Sequence, residues 1–508
     1  MRAIKTHELT PEAVAKMSST DKDWVYNGLD CCVTAEVLDA LLPQLNNQTR
    51  ATYEFSKSLQ APVLEMRLRG ILVDQRRRDQ VIREYEADLR IIDAGLRELI
   101  TEGIGVQMDW NKVPHYTQLQ HLFYNVLRLP VIKKRNSKGV YAPTVDRDAL
   151  EKLDGYLYAQ PLVSHILGLR DINKKIGVLK TGIDPDGRMR TSYNIGGTST
   201  GRFSSSLSDF GTGTNLQNIE QRLRSVFIAD SGYKFAYIDL EQAESRLVGA
   251  IEWNLFHDSR YLDACESSDL HTTVCKLAWP NLPWTGDVRR DREVAETPFY
   301  RQHSYRHMSK VLGHGTNYNG KPYTMAKHTK LDARLIEAFQ KVYLPAFAHI
   351  QWHDWTREEL RRYGRLDTLT GRRRWFFGRR DDDATVREAI AYNPQGSVGD
   401  ILNLGMLKVW RCRKSQLLLQ IHDAILLQYP EDREDEILPQ LIEIIQVPVK
   451  LNHGRQLIIP SEAKVGWNWG EANDNNIDGL VKYKGHDDRN RQDDPSSSFL
   501  DRRFHPVE

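Results

Sequence analysis

The longest periodic stretch of the chain runs from Gln60 to about Glu102. There apolar residues recur at steps of three and four among charged neighbours, as in VIREYEADLRIIDAGLRELI, and predict a helix-rich arm. From Trp110 to Gly168 shorter helical patterns flank a turn-rich segment, KKRNSKGVYAPT, which reads as a tip. From Thr191 the chain turns to Gly, Ser and Thr, then to a strand-like run, FAYID, followed by a helical stretch, EQAESRLVGAI. Helical patterning resumes between Ser267 and Gln351. Between Ser415 and Pro430 two apolar runs, QLLLQI and AILLQY, are separated only by His422 and Asp423, which predicts a hairpin. Beyond Trp469 the chain is polar and reads as a tail unable to bury enough surface to order itself.

Length bounds this picture: 508 residues exceed what a single core organises, so two to four subdomains are expected. A hydrophobic share of 40% and a charged share of 27% are those of a soluble globular protein. No apolar run approaches the roughly 20 residues of a membrane span. The first residues lack the apolar core of a secretory signal, so a cytoplasmic location is expected. The five cysteines have neither metal-site spacing nor disulfide density, and no zinc is implied. Net charge is only +2, but basic residues cluster at Arg76 to Arg78, Lys133 to Lys138 and Gly371 to Arg380, which raises the odds of contact with a phosphate backbone.

Two carboxylates stand out by position. Asp239 closes FAYID and Asp423 sits at the tip of the hairpin, so both fall at the edge of what could be one antiparallel sheet. Each alone is an ordinary turn residue. Together they could hold two magnesium ions in the arrangement used for in-line phosphoryl transfer. In RHMSKVLGHGTNYNG, Arg306, Lys310, His314 and Tyr318 follow at four-residue intervals and share one slowly drifting helix face. Arg306 and Lys310 could grip a triphosphate. Gly313 and Gly315, each costing roughly 1 kcal/mol inside a helix, suggest close approach of something flat, such as a base pair.

These segments, in this order, resemble the family A DNA polymerases, the bacterial DNA polymerase I group and its phage relatives, over about Tyr26 to Glu471. TSTGRFSS (Thr198 to Ser205) and NLQNI (Asn215 to Ile219) resemble the entry to the palm, with a Ser/Gly-rich insertion and Glu220 in place of a usual proline. YIDLEQAESRL resembles motif A, RHMSKVLGHGTNYNG motif B, REAIAYNPQGSVGDILN the following helix and LQIHDAILL motif C. The resemblance implies an α/β (α+β) right-hand fold: an antiparallel palm sheet with helical thumb and fingers. The expected division is 1–48 remnant of a 3′-5′ exonuclease domain, 49–190 thumb, 191–252 first palm segment, 253–400 fingers, 401–471 second palm segment and 472–508 disordered tail.

The resemblance further implies catalytic Asp239, Asp423 and Lys310, with Asp239, Asp423 and the Leu240 carbonyl holding two Mg2+ ions, for which Mn2+ could substitute. It places Arg306, Lys310, His314, Tyr318, His271, Glu244 and Gln242 around the deoxyribonucleoside triphosphate, with Glu244 crowding a 2′-hydroxyl. Arg202, Arg387, Gln395, His422, Asn215 and Gln217 are expected to track primer-template DNA. Two departures are visible: His314 replaces a Phe or Tyr, and Ala424 replaces the acidic residue that usually follows the motif C aspartate.

Near the start, YNGLD carries Tyr26 and Asp30 and resembles the last exonuclease motif. The chain alone is therefore not expected to proofread. Either the helix is a vestige kept because it packs on the body, or Asp30 completes the site of a separate exonuclease subunit. Other candidate partners are a processivity factor, a helicase or a single-strand-binding protein, with no membrane implied. The compact front end suggests a phage-type enzyme acting in a host cytoplasm. A catalytically silent nucleic-acid scaffold and a single-subunit RNA polymerase are the alternatives. An acidic pair argues against the first, and Glu244 against the second.

Overall fold

The structure, a computed structural model, describes residues 9–136, 139–267, 269–300 and 303–485. Its centre is a five-stranded antiparallel sheet. The strands are Tyr233–Leu240 (β1), Gln416–Ile421 (β2), Ala424–Pro430 (β3), Ser461–Gly466 (β4) and Val481–Lys482 (β5), in spatial order β2-β3-β1-β4-β5. The predicted FAYID strand is thus β1, and QLLLQI and AILLQY form the hairpin β2-β3.

The central strands are apolar on both faces because both faces are covered. On one side Ala236, Ile238, Leu240, Ile425, Leu427, Ala463 and Val465 pack under four helices. These are Gln60–Arg69 (α1), Ala243–Phe256 (α2), Asp383–Cys412 (α3) and Glu434–Ile445 (α4). On the other side Phe235, Leu418, Leu419, Ile421 and Leu426 meet Ile71, Val73 and Trp469 and the helices Gln75–Glu98 and Gln160–Leu179. Each fully buried side chain of this size contributes about 1.5–3 kcal/mol, so the sheet is the rigid floor on which a site can be fixed. A separate apolar core between Val248 and Tyr392 organises the predicted fingers, and another between Leu96 and Leu169 the distal arm.

Three expectations need correction. The periodic stretch from Gln60 is not one arm. Its helix stops at Gly70, at φ 65°, and Ile71–Val73 then forms a strand paired with both Met189 and Phe227. Leu59, Val63 and Met66 join the sheet core, so the first part of the expected thumb packs with the palm. The polar tail is also partly ordered: Val481–Lys482 pairs with Lys464 and Val465, and Leu480 is buried. That strand is only two residues long, too short for periodicity to reveal. The rest of the tail, from 486, lies outside the described residues.

The basic run at Gly371 to Arg380 is the third. Arg372 pairs with Asp400 at 2.6 Å, Arg373 with Asp367 at 2.7 Å, and Arg374 with Glu388. Arg372 and Arg374 fasten a hairpin to α3, and Arg373 pairs with Asp367 on the facing strand of that hairpin, so these charges are paired rather than offered to a phosphate backbone. The KKRNSK tip is a small hairpin, Lys133–Arg135 with Tyr141–Pro143, and Lys138 lies outside the described residues.

The helix Ser19–Leu41, which carries Tyr26 and Asp30, has no buried residue in its 23 positions. A vestige retained by packing is therefore not what the fold shows. Trp24, Tyr26, Val33 and Leu41 are all more than half exposed. Among the described residues no helix is long and apolar enough to cross a membrane.

Candidate active site

The antiparallel register places the two key carboxylates side by side. Asp239 on β1 stands opposite Ala424 on β3, so Asp423, in the preceding turn, falls at the same edge of the sheet. His422 takes up the left-handed turn at φ 51°, and the Leu240 amide donates to the Asp423 carbonyl at 3.2 Å. Both carboxyls are perturbed. Burial, then the neighbouring Asp423 and Glu462 charges, pushes Asp239 up to about 6. Burial also raises Asp423, against the lowering effect of Arg202. Among the described residues no side chain hydrogen-bonds or ion-pairs with the Asp239 carboxylate. Two adjacent oxygen-donor carboxylates with this excess of negative charge suit a hard divalent cation.

One cleft brings together eight of the residues expected at the site: Asp239, Leu240, Gln242, Glu244, His271, Lys310, His314 and Asp423. Lys310 and His314 come from the helix Tyr305–Asn317, which lines the cleft together with the end of β1, and Ser304 caps that helix by accepting from the His307 amide. Among the described residues no carboxylate pairs with Lys310, which leaves its charge free for an anion. The Gln242 Oε1 is buried and has no hydrogen-bond partner among the described residues, as expected of a group waiting for a donor. Burial, then Arg306, lowers His271 to about 4, so its imidazole is neutral near pH 7.

Glu244 is held on three sides. Tyr318 donates to its Oε2 at 2.5 Å, Arg202 donates to its Oε1 at 2.7 Å, and His314 Nε2 lies 3.9 Å from Oε2. The carboxylate is therefore fixed at the cleft wall. Burial, followed by Glu244, holds the Tyr318 hydroxyl well above its usual range, so it remains a donor.

Other expected residues are placed differently. Arg306 does not line the cleft. It grips Asp269 at 2.6 and 3.1 Å and lies 3.5 Å from Glu296. Burial acts most strongly on Asp269 and would raise it, yet the hydrogen bonds from Arg306 and Thr272 hold it down at about 2. Asp269, which also caps the helix Leu270–Ala278, was not singled out from sequence. Its position before a helix start was the available signal. Arg387 and Gln395 lie on α3 and are partly exposed, and His422 is exposed beside Asp423. Asn215 is half-buried and accepts from the Gln217 amide in a tight turn. Gln217, expected on the duplex, is instead buried, and its side chain donates to the carbonyl and side-chain oxygens of Gln420. Gln217 thus anchors the hairpin from below.

The Gly315 expectation also changes. A Cβ there would fall 2.7 Å from Met325 Cε, so the close approach is by the protein's own neighbouring helix. Gly313 does face the cleft.

A two-faced antiparallel sheet presenting paired aspartates to a cleft crossed by a basic helix defines the class, and the chain belongs to DNA polymerase family A, whose family model matches residues 83–471. It is 27% identical over 458 residues to the thermostable DNA polymerase I of Thermus filiformis, covering 85% of this chain and 50% of that protein. It is 28% identical over 451 residues to DNA polymerase I of Caldicellulosiruptor bescii, covering 84% and 48%. The chain thus spans about half the length of the curated relatives it matches. In structure it resembles the POL domain of Pol1 from M. smegmatis, solved with DNA primer-template and dNTP. The TM-score is 0.64 at 25% identity, covering 81% of this chain and 69% of that one.

Proposed function

We propose that this chain is a template-directed DNA polymerase that extends a primer 3′-hydroxyl with deoxyribonucleoside triphosphates. The observation that carries the reading is the register that sets Asp239 beside Asp423 at the mouth of a cleft containing unpaired Lys310. Asp239 and Asp423, with the Leu240 carbonyl, would hold two Mg2+ ions, or Mn2+ in their place. Such ions supply activation of the attacking hydroxyl and neutralisation of the leaving pyrophosphate. Lys310 binds the triphosphate. His271, neutral near pH 7, donates to a phosphate oxygen. Gln242 offers its buried carbonyl to a substrate donor. His314 lies under the sugar, and Glu244, fixed by Tyr318 and Arg202, excludes a 2′-hydroxyl. Arg306 joins the triphosphate when it leaves Asp269. Arg202, Arg387, Gln395 and His422 follow the primer-template. A silent scaffold would have no need of Asp239 left without a cation, and a ribonucleotide polymerase no need of Glu244.

Extension of a labelled primer on a DNA template tests this. Deoxyribonucleotides should be added and ribonucleotides refused, and Asp423→Ala should abolish addition. Tight primer-template binding without extension would favour the scaffold.

A second reading concerns Tyr26 and Asp30. The apolar side chains of their helix are solvent-exposed, which favours docking of a separate 3′-5′ exonuclease subunit whose site Asp30 completes with carboxylates from outside this sequence. Mixing with a candidate nuclease chain should raise 3′-end removal. A gain indifferent to Asp30→Ala would sink the idea.

A further inference from the structure

The register across three strands sets Ala424, Asp239 and Glu462 in one row. Ala424 on β3 is opposite Asp239 on β1, and Glu462 on β4 is opposite Asp239 from the other side. Directly opposed residues of antiparallel strands point to the same face, with Cβ atoms roughly 5 Å apart. The burial pattern agrees. Ala463 and Val465 of β4 enter the core beneath the sheet with Ile238 and Leu240, so Glu462 and Lys464 share the face that carries Asp239. Family resemblance leads one to expect an acidic residue at position 424, beside Asp239. This chain has alanine there, and a glutamate on the opposite flank of the same aspartate.

We propose that Glu462 takes over the work of the missing acidic residue, adding its negative charge to the divalent-cation site of Asp239 and Asp423 from the β4 side. The inference rests on the metal-dependent reading of that pair given above. Glu462 acts through its charge, from the β4 flank of Asp239, as a positioning residue and not as a direct ligand. Its present partner is Lys482, at 3.4 Å, with the lysine side chain 63% exposed. Such an exposed pair is weak and easily exchanged. Lys464, the other cation near Asp239, is turned to Glu471 at 3.0 Å. The field of Glu462 already reaches the site, since it is among the charges that raise Asp239.

The test is Mn2+ binding to the full chain, followed by electron paramagnetic resonance of the free ion, in five variants and the parent. Glu462→Gln should weaken Mn2+ binding by about tenfold, the scale on which groups around a metal's ligands act. Glu462→Asp, which keeps the charge, should retain most of the affinity. Adding Ala424→Glu to Glu462→Gln should restore it to within about threefold, because a carboxylate then returns to the other flank of Asp239. Lys482→Gln breaks the same ion pair without removing the carboxylate, and should leave binding unchanged or tighter. If Glu462→Gln binds Mn2+ like the parent, or if Lys482→Gln weakens binding as much as Glu462→Gln does, the proposal is overturned and Glu462 merely fastens β5. If the parent itself binds no Mn2+, or Asp423→Asn binds as well as the parent, the metal reading fails and this proposal falls with it. Loss in Glu462→Gln alongside loss in Asp423→Asn supports both.

Discussion

Arg202 donates one nitrogen to both Asp423 Oδ1, at 3.0 Å, and Glu244 Oε1, at 2.7 Å. A guanidinium therefore occupies the flank of a carboxylate proposed to hold metal, and on the proposed reading it loosens its grip there to follow DNA. Arg202→Ala should tighten Mn2+ binding to the DNA-free protein by about two- to fivefold, since it removes a competing cation. The same variant should extend primers more slowly. Titration of Mn2+ against both proteins checks the first effect, and weaker binding in the variant would refute it.

Asp239 carries a linkage prediction. Its carboxyl lies near 6 in the folded protein against about 3.8 when exposed, so the fold holds this proton more tightly than the unfolded chain does. The resulting stability is fully present below about pH 4 and is lost as pH rises through 6. At pH 7.5 the metal-free protein bears the whole penalty of a buried, unpaired charge. Asp239→Asn should therefore raise its melting temperature by about 2–4 °C at pH 7.5 and leave it unchanged near pH 4. For the same reason Mn2+ affinity should fall as pH drops below 6, because the proton competes for the site.

Selection against ribonucleotides should depend on how firmly Glu244 is held. Glu244→Ala should admit ribonucleotides, lowering discrimination by at least about a hundredfold. Tyr318→Phe keeps the carboxylate and removes the 2.5 Å hydrogen bond that fixes it, so a smaller loss of about tenfold is expected. Single-nucleotide incorporation with paired deoxy and ribo substrates measures both. No loss in Tyr318→Phe would mean that the hydroxyl does not fix Glu244 and that Tyr318 acts through its ring alone.

The two glycines of the basic helix should separate. Gly315→Ala brings a methyl to 2.7 Å from Cε, the flexible end of Met325, which must shift, and should change stability by no more than about 1 kcal/mol in denaturant titration. Gly313→Ala meets only Tyr343 at 3.5 Å, an ordinary contact, so its cost should appear in nucleotide affinity and not in stability.

Legibility from sequence followed the range of the interaction. The hairpin and the aspartate at its tip are local, and the four-residue stripe of Lys310, His314 and Tyr318 follows from helix period alone. Strand order is not local. The row joining Asp239 to Glu462 bridges 223 positions, and no pattern in SEAKVG reveals which residue it will face. The resemblance of NLQNI puts Gln217 on DNA and gives no sign of its partner Gln420, which lies 203 residues away. The arginines of GRRR were likewise spent on Asp367, Glu388 and Asp400, carboxylates that composition counts but does not place.

The central claim is that Asp239 and Asp423 serve chemistry and not binding. The most direct test is single-turnover incorporation of one deoxynucleotide by the parent and by Asp423→Asn, with primer-template affinity measured on the same proteins. The account predicts a loss of at least about a thousandfold in incorporation with affinity preserved to within about threefold, as expected when only transition-state stabilisation is removed. Incorporation that survives the substitution, or that falls only in step with DNA affinity, would contradict it.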